Sequence, residues 1–222
     1  DLVTGSRSRS MSKGMVIEEA LGRFEQKCKG EATPMGIETS LYEFNKAFMG
    51  LHPCKTIVIS AYPGGGKTTL AIQLCMDAAL AGANVLICSL EVPQVDIMDK
   101  MLAYASNRPL QAVIDPIGYC REVHGKDRPT RELLQAIQSG TNRIKEANIE
   151  IQDMVSSNAH QIGAVIRREC RRKALDVVAV DYAQRMRSTP EMARESREQQ
   201  LAQSSNFPAD LSKELGFTLL LP

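Results

Sequence analysis

Four short stretches of this chain run almost wholly apolar: Thr56 to Ser60, Asn84 to Leu90, Leu175 to Val180 and Phe217 to Leu221. Runs of this length without polar alternation, rich in β-branched residues, predict strands buried on both faces. Ile149 to Gln152 predicts a shorter one. Between them the period changes to that of a helix. One helix opens at Lys67. Another spans Pro93 to Asn107, with Val95, Met98, Met101, Leu102 and Ala105 as its apolar positions. A third spans Thr130 to about Ala147 and turns Leu133, Leu134, Ile137 and Ile144 inward. Asn158 opens a fourth, with Gln161 placed for a capping box and Ile162, Val165, Ile166 and Cys170 inside. Its outer face carries Arg167, Arg168, Arg171, Arg172 and Lys173. That run suits a DNA surface, but a solvated face with cations near the helix C-terminus accounts for it more simply. Lys213 to Gly216 reads as a helix end before the last strand. Strands alternating with helices predict an α/β domain: a mainly parallel sheet flanked by helices.

The ends of the chain read differently. Residues 1–14 are dominated by Ser, Arg and Gly and predict a flexible tail. Met15 to Lys29 is amphipathic. Ile17, Ala20, Leu21, Phe24 and Cys28 fall on one face, Glu18, Glu19, Arg23, Glu25 and Lys27 on the other, and Gly30 is a stop. This stripe must be buried, either on its own domain or on a neighbouring subunit, and spacing does not choose between them. The division is 1–14 tail, 15–32 linker helix and 33–222 domain. Thr33 to Cys54 is loop and short helix. Gln184 to Gln203 is polar, a loop at first, with helix resuming near Glu191 and broken by Pro208.

Composition narrows the classes. Of 222 residues 24% are charged, and the net charge is +1, so any basic surface is local. Trp is absent and aromatics are few, which argues against a stacking platform for single strands. Six Cys are scattered without a C-x-x-C pair, mostly in apolar segments, and read as reduced core thiols of a cytosolic protein. The three His show no ligand spacing. No apolar run approaches a membrane span, and no signal peptide is visible.

The chemistry lies after the first strand, in A-Y-P-G-G-G-K-T-T (61–69). Gly64, Gly65 and Gly66 allow close backbone approach to a ligand with N–H groups turned inward. The helix N-terminus adds free N–H groups and a positive dipole end. Lys67 and Thr68 complete a G-K-T ending, in which the Lys reaches the β- and γ-phosphates and the hydroxyl holds Mg²⁺. Ala61 stands where that pattern begins with Gly. The reading is a nucleoside-triphosphate site in a RecA-like domain. Glu91 directly follows the second strand. It is placed either to polarise the water that attacks the γ-phosphate or simply to start a helix before Pro93. Asp181 ends the third long strand, the arrangement in which a carboxylate holds Mg²⁺ directly or through water.

Four ordered segments, covering about Met15 to Leu221, resemble the DnaB-type replicative DNA helicases. M-G-I-E-T-S-L-Y-E-F-N-K-A-F-M-G-L (35–51) is similar to that family's lead-in to the motor domain. A-Y-P-G-G-G-K-T resembles its A-R-P-x-M-G-K-T and accounts for Ala61. C-S-L-E-V-P resembles F-S-L-E-M-S, and V-V-A-V-D-Y-A-Q-R-M resembles I-V-I-D-Y-L-Q-L-M. The resemblance implies a motor domain hydrolysing ATP with Mg²⁺ and translocating on single-stranded DNA in a hexameric ring. It implies nucleotide binding by Ala61, Tyr62, Pro63, Gly64–Gly66, Lys67, Thr68, Thr69 and Lys100, the last where the family commonly has Arg. Glu91 and Lys67 are then catalytic, and Thr68 and Asp181 hold the metal. Gln184, Arg187, Arg194 and Arg197 are sensor or channel residues. The 15–29 helix looks like the family's linker helix, which sets Ile17, Leu21 and Phe24 against the next subunit. Primase and a helicase loader are implied partners, and the cytoplasm the implied compartment.

The departures bear on activity. Tyr62 replaces the usual Arg, and Asn206, Phe207 and Pro208 interrupt a helix. The family's second DNA loop and arginine finger lie beyond Pro222, so the chain alone is expected to bind Mg²⁺–nucleotide, turn it over slowly and not unwind DNA. Two other classes stay open: a RecA-like ATPase switch or recombination and assembly factor, and a nucleotide-binding remnant without helicase activity.

Overall fold

A computed structural model of the chain describes residues 12–29, 36–62, 64–155, 157–181 and 208–222. Two compact units separate, 1–35 and 36–222. In the first, helix α1 spans Lys13–Cys28. Its Ile17, Leu21 and Phe24, spaced for one stripe, are 48%, 55% and 63% exposed.

The second unit runs α2 (Tyr42–Phe48), β1 (Thr56–Val58), α3 (Lys67–Leu80), β2 (Val85–Ser89), α4 (Gln94–Ala105), α5 (Leu110–Ile114), α6 (Pro116–His124), α7 (Arg131–Glu146), β3 (Ile149–Asp153), α8 (Ala159–Arg172), β4 (Val177–Asp181) and β5 (Thr218–Leu221). Residues 208–215 are also helical and end at Gly216, whose φ of 87° suits a residue without a side chain. The five strands form one sheet in the order β1-β5-β4-β2-β3, every pairing parallel.

Strand side chains alternate between two cores, as a two-residue period demands. Leu86, Cys88, Val178, Val180, Leu219 and Leu221 face Ile162 and Ile166 of α8 and Leu211 of the 208–215 helix. Val85, Ile87, Val177, Ala179 and Leu220 face α3 and α4, against Leu74, Met76, Ile97 and Met101. The runs of β2, β4 and β5 are therefore continuous because both faces are covered, whereas β1, expected to be buried, lies at the sheet edge and leaves Thr56 and Val58 exposed. Connections that move one way along the sheet use the α3–α4 face, and those that return use the α8 face. This is what uniformly handed crossovers produce.

Helix ends follow local chemistry. Asn158 Oδ1 accepts from the Gln161 N–H at 3.0 Å, and Gln161 Oε1 accepts from the Asn158 N–H at 2.9 Å, the predicted capping box. The Thr130 hydroxyl caps α7. The basic face of α8 is solvated, with Arg168, Arg171 and Arg172 exposed. It also serves the interior: Glu169, 2% exposed, accepts from Arg168 Nε at 2.8 Å and Arg172 Nη1 at 2.7 Å. These two guanidinium groups hold its carboxyl below the ordinary range against the opposing effect of burial.

Several expectations are corrected. The first strand stops at Val58, and the third long strand starts at Val177 rather than Leu175, with Asp181 at its end as expected. Val95, Met98 and Leu134 are exposed, and Ile97 and Ala103 take the buried places on α4. Helices α5 and α6 fill a stretch for which no element is predicted. They make a satellite core of Ala112, Cys120 and Leu133, with Leu110, Ile114, Ile117 and Val123 exposed around it. Cys75, Cys88 and Cys120 are core thiols, Cys170 is half-buried, and Cys28 and Cys54 are exposed. No described helix is long and apolar enough to cross a membrane.

Helix α7 approaches α4 closely at Gly140. A Cβ there would lie 2.8 Å from the Ser106 backbone nitrogen and 2.9 Å from its Cβ. Gly140→Val is expected to destabilise the domain by about 1–3 kcal/mol through overpacking. Urea unfolding measures this, and an unchanged midpoint would show that the two helices separate freely.

Candidate active site

Because the strands are all parallel, the loops after β1, β2 and β4 emerge along one edge of the sheet. That edge is where open α/β sheets place ligands. A cleft of about 520 Å³ opens there, lined by Gly64–Gly66, Lys67, Thr68, Thr69, Glu91, Val92, Lys100 and Asp181. Five segments supply these residues. The glycine loop and the start of α3 form one wall. The β2–α4 turn brings Glu91 and Val92, α4 returns Lys100, and the tip of β4 brings Asp181.

The loop's conformation explains its glycines. Gly64 and Gly66 have φ of 77° and 81°, values that side chains resist. Gly65 has no such φ, but a Cβ there would sit 2.9 Å from the Ala61 Cβ and 2.9 Å from the Tyr62 carbonyl oxygen. The Gly65 N–H donates to that same carbonyl at 2.9 Å. This bond closes the loop on itself, and the Ala61 methyl leaves no room for a side chain at Gly65. The cleft lining does not include Ala61 or Tyr62, expected as nucleotide contacts, and the Tyr62 side chain is 90% exposed. Pro63 lies outside the described residues, as do Gln184, Arg187, Arg194 and Arg197.

Electrostatics single out Asp181. It is 4% exposed, and its Oδ2 is buried with no hydrogen-bond partner among the described residues. Burial pushes its carboxyl above the ordinary range. A hydrogen bond from Thr68 and the charge of Lys100 pull it back, Glu91 adds to the rise, and Lys67 opposes it. Thr68 and Asp181 line the same cleft, as the sequence pairing of hydroxyl and carboxylate requires. An oxygen-only donor set with one unsatisfied buried carboxylate oxygen fits a hard divalent cation. Among the described residues no group of three or more His, Cys, Asp or Glu could hold a metal by protein ligands alone. A cation here would share its ligands with phosphate and water.

Sequence reasoning gave no part to Ser89, to Val92, or to Asp77 on α3. The Asp77 carboxylate accepts from the Ser40 N–H and hydroxyl at 2.8 Å each, and from the Tyr104 hydroxyl. This ties the lead-in segment to α3 and α4. A lone Asp inside the apolar run L-C-M-D-A-A-L was the available signal.

A parallel sheet with a glycine loop, a strand-end carboxylate and a second carboxylate on one edge defines a RecA-like P-loop domain. Solved structures share the fold. A DnaB-like replicative helicase, described with its interactions with primase, superposes with a TM-score of 0.74 at 19% identity, over 92% of this chain and 47% of that one. A second solved structure, of an ATPase domain, superposes with a TM-score of 0.76 at 19% identity, over 95% of this chain and 71% of that one. Residues 36–221 match the family of the DnaB-like helicase C terminal domain, and the chain belongs to it. Replicative DNA helicase DnaB of Buchnera aphidicola subsp. Schizaphis graminum is 37% identical over 184 residues, 81% of this chain and 37% of that protein. The counterpart from Leifsonia xyli is 29% identical over 200 residues, 90% of this chain and 41% of that protein. The chain thus spans well under half the length of these relatives.

A carboxyl raised above its unfolded value favours folding only while protonated. The contribution of Asp181 therefore falls as pH rises from the ordinary aspartate value through the raised one, and at neutral pH it opposes folding. Asp181→Asn is expected to leave the ligand-free domain as stable as the parent at pH 7, or more so. Thermal melts at pH 7 test this. A clearly lower melting temperature would mean that the charge is satisfied within the fold.

Proposed function

We propose that this chain is the ATP-hydrolysing motor domain of a replicative DNA helicase. The observation that carries the reading is the convergence of Lys67, Thr68, Glu91 and Asp181 on one cleft from three strand ends. Family membership and the names of the curated relatives support it.

On this reading the triphosphate lies in the Gly64–Gly66 loop, against backbone N–H groups and the α3 N-terminus. Lys67 and Lys100 face its oxygens. Thr68 and Asp181 would hold Mg²⁺, which would neutralise charge on the phosphate oxygens. Glu91 orients a water toward the γ-phosphorus and takes its proton. The water oxygen bonds to that phosphorus, the bond to the β–γ bridging oxygen breaks, and ADP and inorganic phosphate result. Single-stranded DNA is the proposed track, six copies in a ring the proposed assembly and primase a proposed partner, in the cytoplasm of a bacterium or phage-infected cell.

Lys67→Ala is expected to abolish nucleotide binding or weaken it severely, because it removes the cation facing the phosphates. Glu91→Gln is expected to bind nearly as the parent does and to stop hydrolysis. Calorimetry with a nucleotide analogue, beside a phosphate-release assay, reads both. Normal hydrolysis by Glu91→Gln would remove the catalytic assignment.

The linker helix is the proposed subunit contact. Its Ile17, Leu21 and Phe24 stripe is exposed, and each large apolar side chain gains about 1.5–3 kcal/mol on full burial. Leu21→Asp with Phe24→Asp is expected to shift the assembly toward monomer while 36–222 stays folded. Sedimentation measures it, and an unchanged assembly state would sink the idea.

A further inference from the structure

The turn that carries Glu91 is shaped by a single hydroxyl. Ser89 is the last residue of β2 and is wholly buried. Its Oγ donates to the Val92 carbonyl at 2.6 Å and accepts from the Val92 N–H at 3.2 Å. One side chain thus engages both backbone groups of the residue after Glu91. The residue before Glu91 is fixed too: the Leu90 N–H donates to the Asp181 carbonyl at 2.6 Å. The start of the turn is held from the other side, where the Met154 N–H donates to the Ser89 carbonyl at 2.7 Å. Pro93 follows as the N-cap of α4, with its φ fixed by the ring.

A serine that closes a local turn is common, and by itself only ends a strand. Two features give this one a larger part. The clasp encloses Leu90 and Glu91, and Glu91 lines the cleft. The clasp is also in step with the other carboxylate, since Ser89 pairs in register with Asp181. A shift of the turn therefore changes the place of Glu91 relative to Asp181 and to any phosphate between them. The polypeptide on both sides of Glu91 is anchored by these bonds, and the Ser89 hydroxyl supplies the side-chain part of that anchorage.

We propose that Ser89 is a positioning residue, whose hydroxyl holds the 89–92 turn so that Glu91 meets the attacking water. The inference rests on the reading of Glu91 given above. It predicts a loss in turnover and not in nucleotide binding, because the glycine loop and Lys67 are untouched.

The test compares parent, Ser89→Ala, Glu91→Gln and the double variant, with ATPase measured at saturating single-stranded DNA and calorimetry with a nucleotide analogue. Ser89→Ala is expected to lower kcat by about 10–100-fold, the range for a small misplacement, with KM and analogue affinity within about twofold. In the Glu91→Gln background the same change is expected to do nothing further to the residual rate, because it acts through Glu91. Ser89→Thr keeps a hydroxyl and is expected to recover turnover. The proposal is overturned if Ser89→Ala turns over normally while Glu91→Gln is inactive. It is equally overturned if Ser89→Ala weakens binding as much as turnover, slows the Glu91→Gln background by the same factor, or fails to fold. The hydroxyl would then serve the fold at large. If Glu91→Gln itself hydrolyses normally, the reading of Glu91 fails first, and this result is separate from all of those.

Discussion

A parallel sheet covered on both faces has one place for polar chemistry, its ends. Every interior strand position here is apolar or nearly so, because each side chain enters one of two dry cores. Backbone groups satisfy one another along the ladders, and an ionised side chain placed among them would lack partners. Asp181 stands at the limit of that rule. It is the last residue of β4, still paired in register with β2, and buried deeply enough to leave one oxygen without a partner among the described residues. The site depends on this position. One residue earlier, at the place of Val180, the carboxylate would point into a core.

The same geometry explains why the site was legible before the fold was known. Strand ends carry the chemistry, and the strands are readable as short apolar runs. Lys67, Thr68, Glu91 and Asp181 could each be placed at a sheet edge from the sequence pattern, and they meet in one cleft. Loop contacts were less legible. Ala61 and Tyr62 sit beside the glycines in sequence, but the loop turns them away, Ala61 to pack against Gly65 and Tyr62 into solvent.

Helix faces were legible only in part, for a physical reason. Periodicity reports that a helix has an apolar side, and burial depends on how far the next layer extends. On α8 Ile162 and Ile166 are fully buried as expected, and Val165 and Cys170 are half-buried at the margin of the same core. On α4 Met101 and Ala105 are buried as expected, but the line they share continues through Ile97, so Val95 and Met98 stay exposed. Leu134 of α7 is exposed for the same reason, whereas Leu133 packs on the satellite core. The hydroxyls of Ser89 and Tyr104 were not legible. Their partners are a turn carbonyl and an Asp 27 positions away, which no local pattern reveals.

The charges in the cleft bear on how a ligand is held. Lys67 and Lys100 equal Glu91 and Asp181 in number, but the balance is uneven in space, because Asp181 alone is deeply buried. Glu91 already pushes the Asp181 carboxyl upward. A triphosphate brought in on its own would add several negative charges beside that carboxylate and push it further, at a cost set by the low local dielectric. The two lysines offset part of this from outside the buried oxygen. Asp181 would hold a divalent cation with its unpartnered oxygen, and such a cation would supply positive charge where the repulsion is strongest. On the proposed reading, nucleotide and cation therefore bind together more tightly than the sum of each alone, and the cost of a buried, unpaired carboxylate in the ligand-free domain is the source of that coupling.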